Sequence, residues 1–233
     1  MRTDRVMPAL FAILFLALWE AVVRWFAVPA YIVPGPLAIG AAFAAAPGLL
    51  LGSLASTLLV TAVALIASCL LGVTMAALIA VSRWVRAAIL PWAIVLQVTP
   101  IVAIAPLIIV WVGDPFVSLV VCATIVAFFP VFSNTLTGLG AASPELRDLF
   151  RLYGAGAWRS LVLLRLPTAL PYFLAGLRVS GGLALVGAVV AEFVAGSGGV
   201  ASGLAYRILE AGYRLQIPRM FAAWCCCRWL GWS

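Results

Sequence analysis

Residues 143 to 167 read SPELRDLFRLYGAGAWRSLVLLRLP, the longest polar interruption in an otherwise strongly apolar chain. Apolar runs long enough to cross a lipid bilayer lie on both sides of it, since a spanning helix needs about 20 apolar residues. The stretch is therefore predicted to connect two membrane-spanning helices and to lie outside the membrane.

The first part of this stretch has the pattern of a short amphipathic helix. Ser143 is a suitable N-cap, and Pro144 suits the first helical position. The predicted apolar face consists of Leu146, Leu149, Phe150 and Tyr153. Arg147 and Arg151 are four residues apart and share the other face. The helix is expected to end near Gly154, which can adopt a positive φ, and a second short helix to begin near Ala157. A helix that simply lies on lipid is the alternative.

Composition places the whole chain in a membrane. Of its 233 residues, 66% are hydrophobic and only 9% are charged, and the mean hydropathy is +1.23. All the basic residues are Arg, so the phosphate-binding loop that requires Lys is missing. The absence of His and the lack of a zinc-like spacing around Cys225 to Cys227 predict no metal site. No catalytic residue is expected, and the chain is not predicted to be an enzyme.

Apolar runs predict an all-α protein with five or six transmembrane helices in one domain, residues 1–233, with residues 54–223 as its core. The predicted spans are 7–28, 54–81, 87–112, 116–139, 168–195 and an incomplete one from Ile217. Residues 29–50 contain no charge, and Pro34-Gly35-Pro36 interrupts them. They are expected to turn and then to lie along the membrane surface.

The arginines predict the orientation, because cytoplasmic loops carry an excess of positive charge. With a cytoplasmic N-terminus, most of them fall inside: Arg2, Arg5, Arg83, Arg86, Arg147, Arg151, Arg159 and Arg165. Arg24, Arg207, Arg214 and Arg219 fall outside. The polar stretch at 143–167 is therefore expected to face the cytoplasm.

A few polar residues within the apolar runs are candidates for a solute pathway: Gln97, Asn134, Arg178 and Glu192. Each also has a structural reading, as a helix-to-helix hydrogen bond or an anchor at the end of a span. Arg178 is expected to face a subunit interface. Gly181, Gly182 and Gly187 suggest close helix approach, and Glu20 is expected to pair with Arg24.

The polar stretch resembles the cytoplasmic loop of binding-protein-dependent ABC importer permeases, whose pattern is E-A-A-x3-G-x9-I-x-L-P. Asp148, Gly154, Leu164, Leu166 and Pro167 reproduce its spacing, with Asp148 in place of Glu and Leu149-Phe150 in place of the two alanines. The segments 97–113, 166–178 and 186–196 look like the subfamily that imports nitrate, sulfonates, taurine and thiamine-pyrimidine precursors.

This resemblance implies a type I importer permease with the MetI-like architecture in a bacterial inner membrane. Residues 144–167 would be the segment that couples it to ATPase subunits. The coupling residues would be Arg147, Asp148, Leu149, Phe150, Arg151, Tyr153, Gly154, Leu166 and Pro167. The implied partners are ATPase subunits that bind the ATP, a periplasmic or lipid-anchored solute-binding protein and a second permease copy. The substrate would be a small anion or a thiamine-pyrimidine precursor.

An ion-coupled secondary carrier is the alternative function. Such a carrier is expected to have acidic groups facing inward at the membrane midplane. The acidic residues here lie mostly at span ends or in the polar stretch. Copurification of an ATPase subunit, as opposed to ion-driven uptake by the chain alone, separates the two functions.

The C-terminal run WCCCRWLGWS, residues 224–233, does not continue the apolar span that opens at Ile217. The span is shorter than about 20 residues and contains Arg228. If the codon for Ala223 ends in C, reading one base earlier gives a run rich in Leu and Val. A reading-frame change at Trp224 is therefore predicted, and nucleotide sequencing tests it. Chance is the alternative, because shifted GC-rich codons often encode Leu and Val.

Overall fold

The computed structural model describes residues 3–196 and 202–230, and all regular structure within them is helical. The α-helices, in chain order, are α1 (Thr3–Trp25), α2 (Pro36–Ala45), α3 (Pro47–Val81), α4 (Arg83–Val98), α5 (Ile101–Val112), α6 (Pro115–Gly140), α7 (Pro144–Leu152), α8 (Ala157–Ser160), α9 (Leu166–Ala195), α10 (Leu204–Tyr213) and α11 (Ile217–Leu230). One π-helical turn, Leu161–Arg165, joins α8 to α9.

Three helical stretches in the described residues are long and apolar enough to cross a membrane: Pro47–Val81, Pro115–Gly140 and Ala157–Ala195. The pair formed by α4 and α5 is a fourth if it counts as one span. The predicted first span corresponds to α1, and the incomplete last one to the 14 residues of α11. These helices confirm the predicted all-α membrane fold. Residues 231–233 lie outside the described residues, and the reading-frame change at Trp224 stays a prediction.

The predicted third span, residues 87–112, is not one straight helix. It consists of α4 and α5, whose axes differ by 105°. Pro100 has no N–H to continue the helical hydrogen bonds, and a residue before Pro avoids the α conformation. Thr99 accordingly has ψ 121° and ends α4. Pro100 then serves as the N-cap of α5.

The predicted surface segment, residues 29–50, is also shorter than expected. After a turn that contains Ala27 at φ 47°, only α2 forms a separate helix, and residues 47–50 already belong to α3. Pro47 begins α3, as is common for Pro in the first turn of a helix. The side chain of Glu20 accepts hydrogen bonds from Arg24 Nε at 2.7 Å and from Leu37 N at 3.2 Å. The predicted Glu20–Arg24 pair is therefore confirmed, and the same carboxylate caps the start of α2.

The chain divides into two compact units, one from Met1–Ser56 with Gly196–Ser233 and the other from Thr57–Ala195. The boundary falls within α3, and the single-domain assignment stays a prediction. In the first unit, Leu50, Leu204, Ala222 and Ala223 form a buried cluster. The centre of the second unit is the pair α6 and α9, which pack closely through glycine. A Cβ on Gly187 would lie 2.9 Å from Ala123 Cα, as its predicted role in helix approach requires.

Candidate coupling segment and solute pathway

Helix α7 is defined by caps at both ends. Ser143 Oγ accepts a hydrogen bond from Leu146 N at 3.3 Å, which confirms the predicted N-cap. At the other end Gly154 has φ 67°. Ala155 N donates to Phe150 O at 2.9 Å, and Gly154 N donates to Arg151 O at 3.0 Å. These two bonds form a Schellman motif, which satisfies the last carbonyls and ends the helix.

One side of α7 presents large apolar side chains to the surroundings. Leu149 is 44% exposed, and Tyr153 at the C-cap is 83% exposed. Leu152 is 85% exposed, although the sequence pattern did not place it on the apolar face. Leu152 follows Leu149 by three residues, and this i,i+3 spacing is the signal that could have identified it. We call Leu149, Leu152 and Tyr153 the exposed apolar face of α7.

The other side of α7 borders a cavity of about 260 Å³, which we call the arginine cavity. Arg147, Phe150 and Arg151 line it from α7. Phe150 is half-buried, so most of its ring is not part of the exposed apolar face. Arg151 also forms an ion pair with Asp148 at 3.1 Å, in which both side chains are largely exposed. Such an exposed pair contributes little to stability.

The connection from α7 to the membrane is an almost unbroken helix. After the turn at Gly154, α8, the π-helical turn and α9 together run from Ala157 to Ala195. Pro167 lies within this continuous helix, two residues after the π-helical turn, and in a helix interior the missing N–H of Pro removes a regular α-helical hydrogen bond. The π-helical turn directly before it changes the bonding to i→i+5, so that Leu166 N donates to Leu161 O. Leu166 and Pro167 thus lie where the segment predicted to face the cytoplasm becomes a candidate spanning helix.

Gln97 lines a second cavity, which we call the Gln97 cavity. It has a volume of about 270 Å³ and lies beside the break between α4 and α5. The other residues that line it are Leu96, Thr99, Ile101, Ile125, Val126, Phe129, Pro130 and Leu183. None of these side chains carries a charge. The cavity therefore combines an amide and a hydroxyl group with one aromatic ring and aliphatic walls.

The other three solute-pathway candidates do not line the Gln97 cavity. Asn134 Nδ2 donates to Pro130 O at 2.9 Å, a bond within α6. Glu192 is buried at 3% exposure and accepts a hydrogen bond from Thr57 Oγ1 at 2.8 Å, which joins α3 to α9. Arg178 is exposed near the middle of α9 and has no ion pair within the described part of the chain. Of the four solute-pathway candidates, Gln97 alone lines this cavity.

Near Arg178, the glycines of α9 differ in their surroundings. A Cβ on Gly176 would meet Pro130 O at 2.7 Å, whereas one on Gly181 or Gly182 would meet nothing within 4 Å. Within this chain, Gly181 and Gly182 therefore do not serve the close helix approach that the sequence suggested. They leave a shallow, uncovered part of the α9 surface next to Arg178.

Comparison with known proteins assigns the family. Residues 68–227 match the model of the binding-protein-dependent transport system inner membrane component. This chain belongs to that family. An ABC transporter permease protein from Haemophilus influenzae is 34% identical over 223 residues, which are 96% of this chain and 89% of that protein. The formylaminopyrimidine transport permease protein ThiX of Halalkalibacterium halodurans is 30% identical over 92% of this chain and 84% of its own length.

A solved structure supports the fold of this permease. The crystal structure of an amino acid ABC transporter has a TM-score of 0.65 and 19% identity, and the match covers 81% of this chain and 90% of that chain. The chain is thus a multi-pass permease of the bacterial inner membrane and a transport component, not an enzyme. Permeases of this family work with a solute-binding protein, and a partner ATPase handles ATP.

Proposed function

We propose that α7 is the coupling helix of this permease and that its exposed apolar face docks into a groove of the ATPase subunit. The observation that carries the proposal is the exposure of Leu149, Leu152 and Tyr153 on a capped helix. A few large apolar side chains at the centre of an interface supply most of its binding free energy. The unbroken helix from Ala157 to Ala195 would transmit a rigid-body movement of the ATPase into the membrane.

The test introduces a charge into the exposed apolar face. Leu152→Asp should reduce copurification of the ATPase subunit at least tenfold, because burying an unpaired carboxylate costs several kcal/mol. Ala141→Asp is the matched control, since Ala141 is also exposed and lies in the loop just before α7. Both variants should insert into the membrane at the wild-type level. Equal ATPase recovery with wild type and Leu152→Asp would disprove docking through this face.

We further infer that the solute passes the Gln97 cavity and is an uncharged, planar heterocycle of the thiamine-pyrimidine precursor type. The lining supports this class over a small anion. Phe129 offers a stacking surface and Gln97 both a donor and an acceptor, whereas the lining has no cation to balance an anion. The relative ThiX is named for formylaminopyrimidine transport. Other relatives are named for riboflavin and for nitrate.

Uptake by the complete transporter with its cognate binding protein distinguishes these substrates. Formylaminopyrimidine should compete with the transported solute, and nitrate and taurine should not. Gln97→Leu should lower the transport rate while leaving ATPase copurification unchanged. Competition by nitrate or taurine instead would overturn the heterocycle assignment without affecting the docking role of α7.

We also propose that the permease works as a homodimer in which copies meet at the uncovered surface of α9. A charged side chain exposed to lipid near the middle of a span costs a few kcal/mol. Arg178 has such a position, and Gly182 beside it leaves room for another helix. A facing copy would remove Arg178 from lipid and could supply its partner.

A further inference from the structure

The arginine cavity lies between the C-terminal end of α3 and helix α7. Its walls come from three places in the chain. Ala80 and Val81 end α3, α7 contributes three residues, and the rest lie between the turn after α7 and the π-helical turn. The lining residues are Ala80, Val81, Arg147, Phe150, Arg151, Ala155, Ala157, Ser160 and Arg165. Three arginines therefore surround one cavity of about 260 Å³.

The hydrogen-bond acceptors around this cavity do not satisfy all the donors of its three arginines. Arg151 is paired with Asp148, and Arg165 Nη1 donates to the main-chain oxygen of Ala80 at 2.8 Å. The guanidinium of Arg147 has no hydrogen bond or ion pair in the described part of the chain. The Nε atoms of Arg147 and Arg165 are both buried, and neither has a hydrogen-bond partner. Buried donors without an acceptor are unfavourable, and more so in charged groups.

The side of the membrane on which the cavity lies narrows the choice of ligand. Helix α3 is long and apolar enough to span a membrane and ends at Val81, and the distribution of arginines predicts that this end faces the cytoplasm. Basic pockets between transmembrane helices on this side of a membrane bind lipid head groups. A phosphate group also suits the donors, because its several oxygens can accept from two guanidinium groups at once.

We propose that the arginine cavity binds a phosphate group, held between Arg147 and Arg165. A guanidinium group binds phosphate oxygens through parallel N–H donors, and both arginines line the cavity. The hydroxyl group of Ser160, which also lines the cavity, is a further donor. The group can come from an anionic phospholipid or from free phosphate.

Binding there would connect two elements that both line the cavity. Arg147 belongs to α7, and Arg165 ends the π-helical turn that leads into α9. A phosphate between them would hold α7 in place relative to the spanning helices. If α7 is the coupling helix, a role that rests on the proposed function, the ligand would also set how firmly ATPase movement is transmitted. Binding itself does not depend on that role.

The test measures binding to the full-length chain in detergent. In the lipid arm, native mass spectrometry compares retention of phosphatidylglycerol with that of phosphatidylcholine. In the ion arm, the thermal midpoint is measured in sodium phosphate and in sodium chloride at equal ionic strength. A preference for phosphatidylglycerol identifies a lipid, and a rise in phosphate alone identifies the free ion. Either result supports the proposal. If the wild-type protein shows neither the lipid preference nor the rise in thermal midpoint, the proposal is wrong.

Variants localise the response. The double variant Arg147→Gln with Arg165→Gln should weaken phosphate binding at least about tenfold. The loss of one hydrogen bond to a charged group is enough to change an affinity by that factor. Arg159→Gln is the control, since Arg159 is exposed on the same segment but does not line the cavity. If the double variant does not fold, Arg147→Lys, which keeps the charge but loses the planar fork, should give a smaller loss.

Two further outcomes would contradict the proposal. Equal losses with Arg159→Gln and with the cavity variants would mean that net charge, not this cavity, causes the response. An unchanged phosphate response together with lost ATPase copurification in the cavity variants would assign the arginines to ATPase docking. The Leu152→Asp variant leaves the cavity residues intact. Its result therefore tests docking through the exposed apolar face separately from phosphate binding in the arginine cavity.

Discussion

Glu210 of α10 forms ion pairs with two nearby arginines, Arg207 and Arg214. Arg207 Nη1 lies 2.8 Å and Arg214 Nη2 3.0 Å from its carboxylate oxygens. Arg207 also donates through Nε to Ser53 Oγ at 3.2 Å, which connects α10 to α3 within the first unit. The hydrogen bond from Arg207 is the main cause that lowers the pKa of Glu210, desolvation opposes it, and the charge of Arg214 adds to the lowering.

We therefore expect an acid-sensitive contribution from Glu210 to stability. Because its folded-state pKa is depressed, the contribution is complete above the unfolded pKa of about 4.3 and is lost as pH falls through the folded value. The thermal midpoint of Glu210→Gln should lie below that of wild type at neutral pH, and the difference should shrink at acidic pH. A difference that stays constant from about pH 7 to about pH 3 would show that ionised Glu210 does not stabilise the fold.

Local sequence rules were sufficient for residues whose partners lie within one turn of helix. Ser143 and Gly154 were predicted as caps of α7, and the structure gives both those roles. Glu20 and Arg24 were predicted as an i,i+4 pair for the same reason. The contact between Thr57 and Glu192 joins residues 135 positions apart. No local pattern specifies such a partner, because it depends on how α3 and α9 pack.

At the scale of elements, the packing of α6 against α9 depends on positions without a side chain. A Cβ on Gly176 would lie 2.7 Å from Pro130 O and 2.9 Å from Asn134 Cβ. Gly176→Ala should therefore lower stability by about 1–3 kcal/mol through overpacking. Gly181→Ala is the matched control on the same helix, since nothing lies within 4 Å of its added Cβ. Thermal unfolding in detergent measures both, and similar losses for the two variants would contradict this packing.

The spanning elements were largely predictable because each is a long apolar run. The sequence located α3, α6 and α9 to within a few residues, apart from the early start of α3 at Pro47. It also identified Gln97 as a polar residue within the third apolar run, but it did not predict a bend of 105°. Pro100 dictates only that the helix must break. The direction of α5 after the break depends on its packing, since Ala105 is buried in a cluster with Cys122 and Ala191.

At the scale of the whole molecule, the proposed homodimer raises the question of which surface of α9 would face the second copy of the chain. Arg178 is exposed near the middle of this span, and Gly182 lies one turn further along the same side. In lipid, an unpartnered Arg there would cost a few kcal/mol, and a residue without a side chain lets another helix approach closely. We therefore expect the α9 helices of two copies to meet at Gly182. Among the described residues, the other two single-helix candidate spans, Pro47–Val81 and Pro115–Gly140, contain no charged residue that would mark a competing surface.

Cross-linking tests this arrangement in a variant whose native cysteines are replaced by Ala. Gly182→Cys should form an oxidative cross-link in native membranes and give a species of twice the 24.6 kDa of the single chain. Ile66→Cys is the control, because Ile66 is also exposed but lies on α3. The physical reason for the difference is geometric, since a disulfide requires Cα atoms within about 7 Å of each other. Random collisions in the membrane would cross-link both positions to a similar extent, and that result would remove the α9 surface as the site of contact between copies.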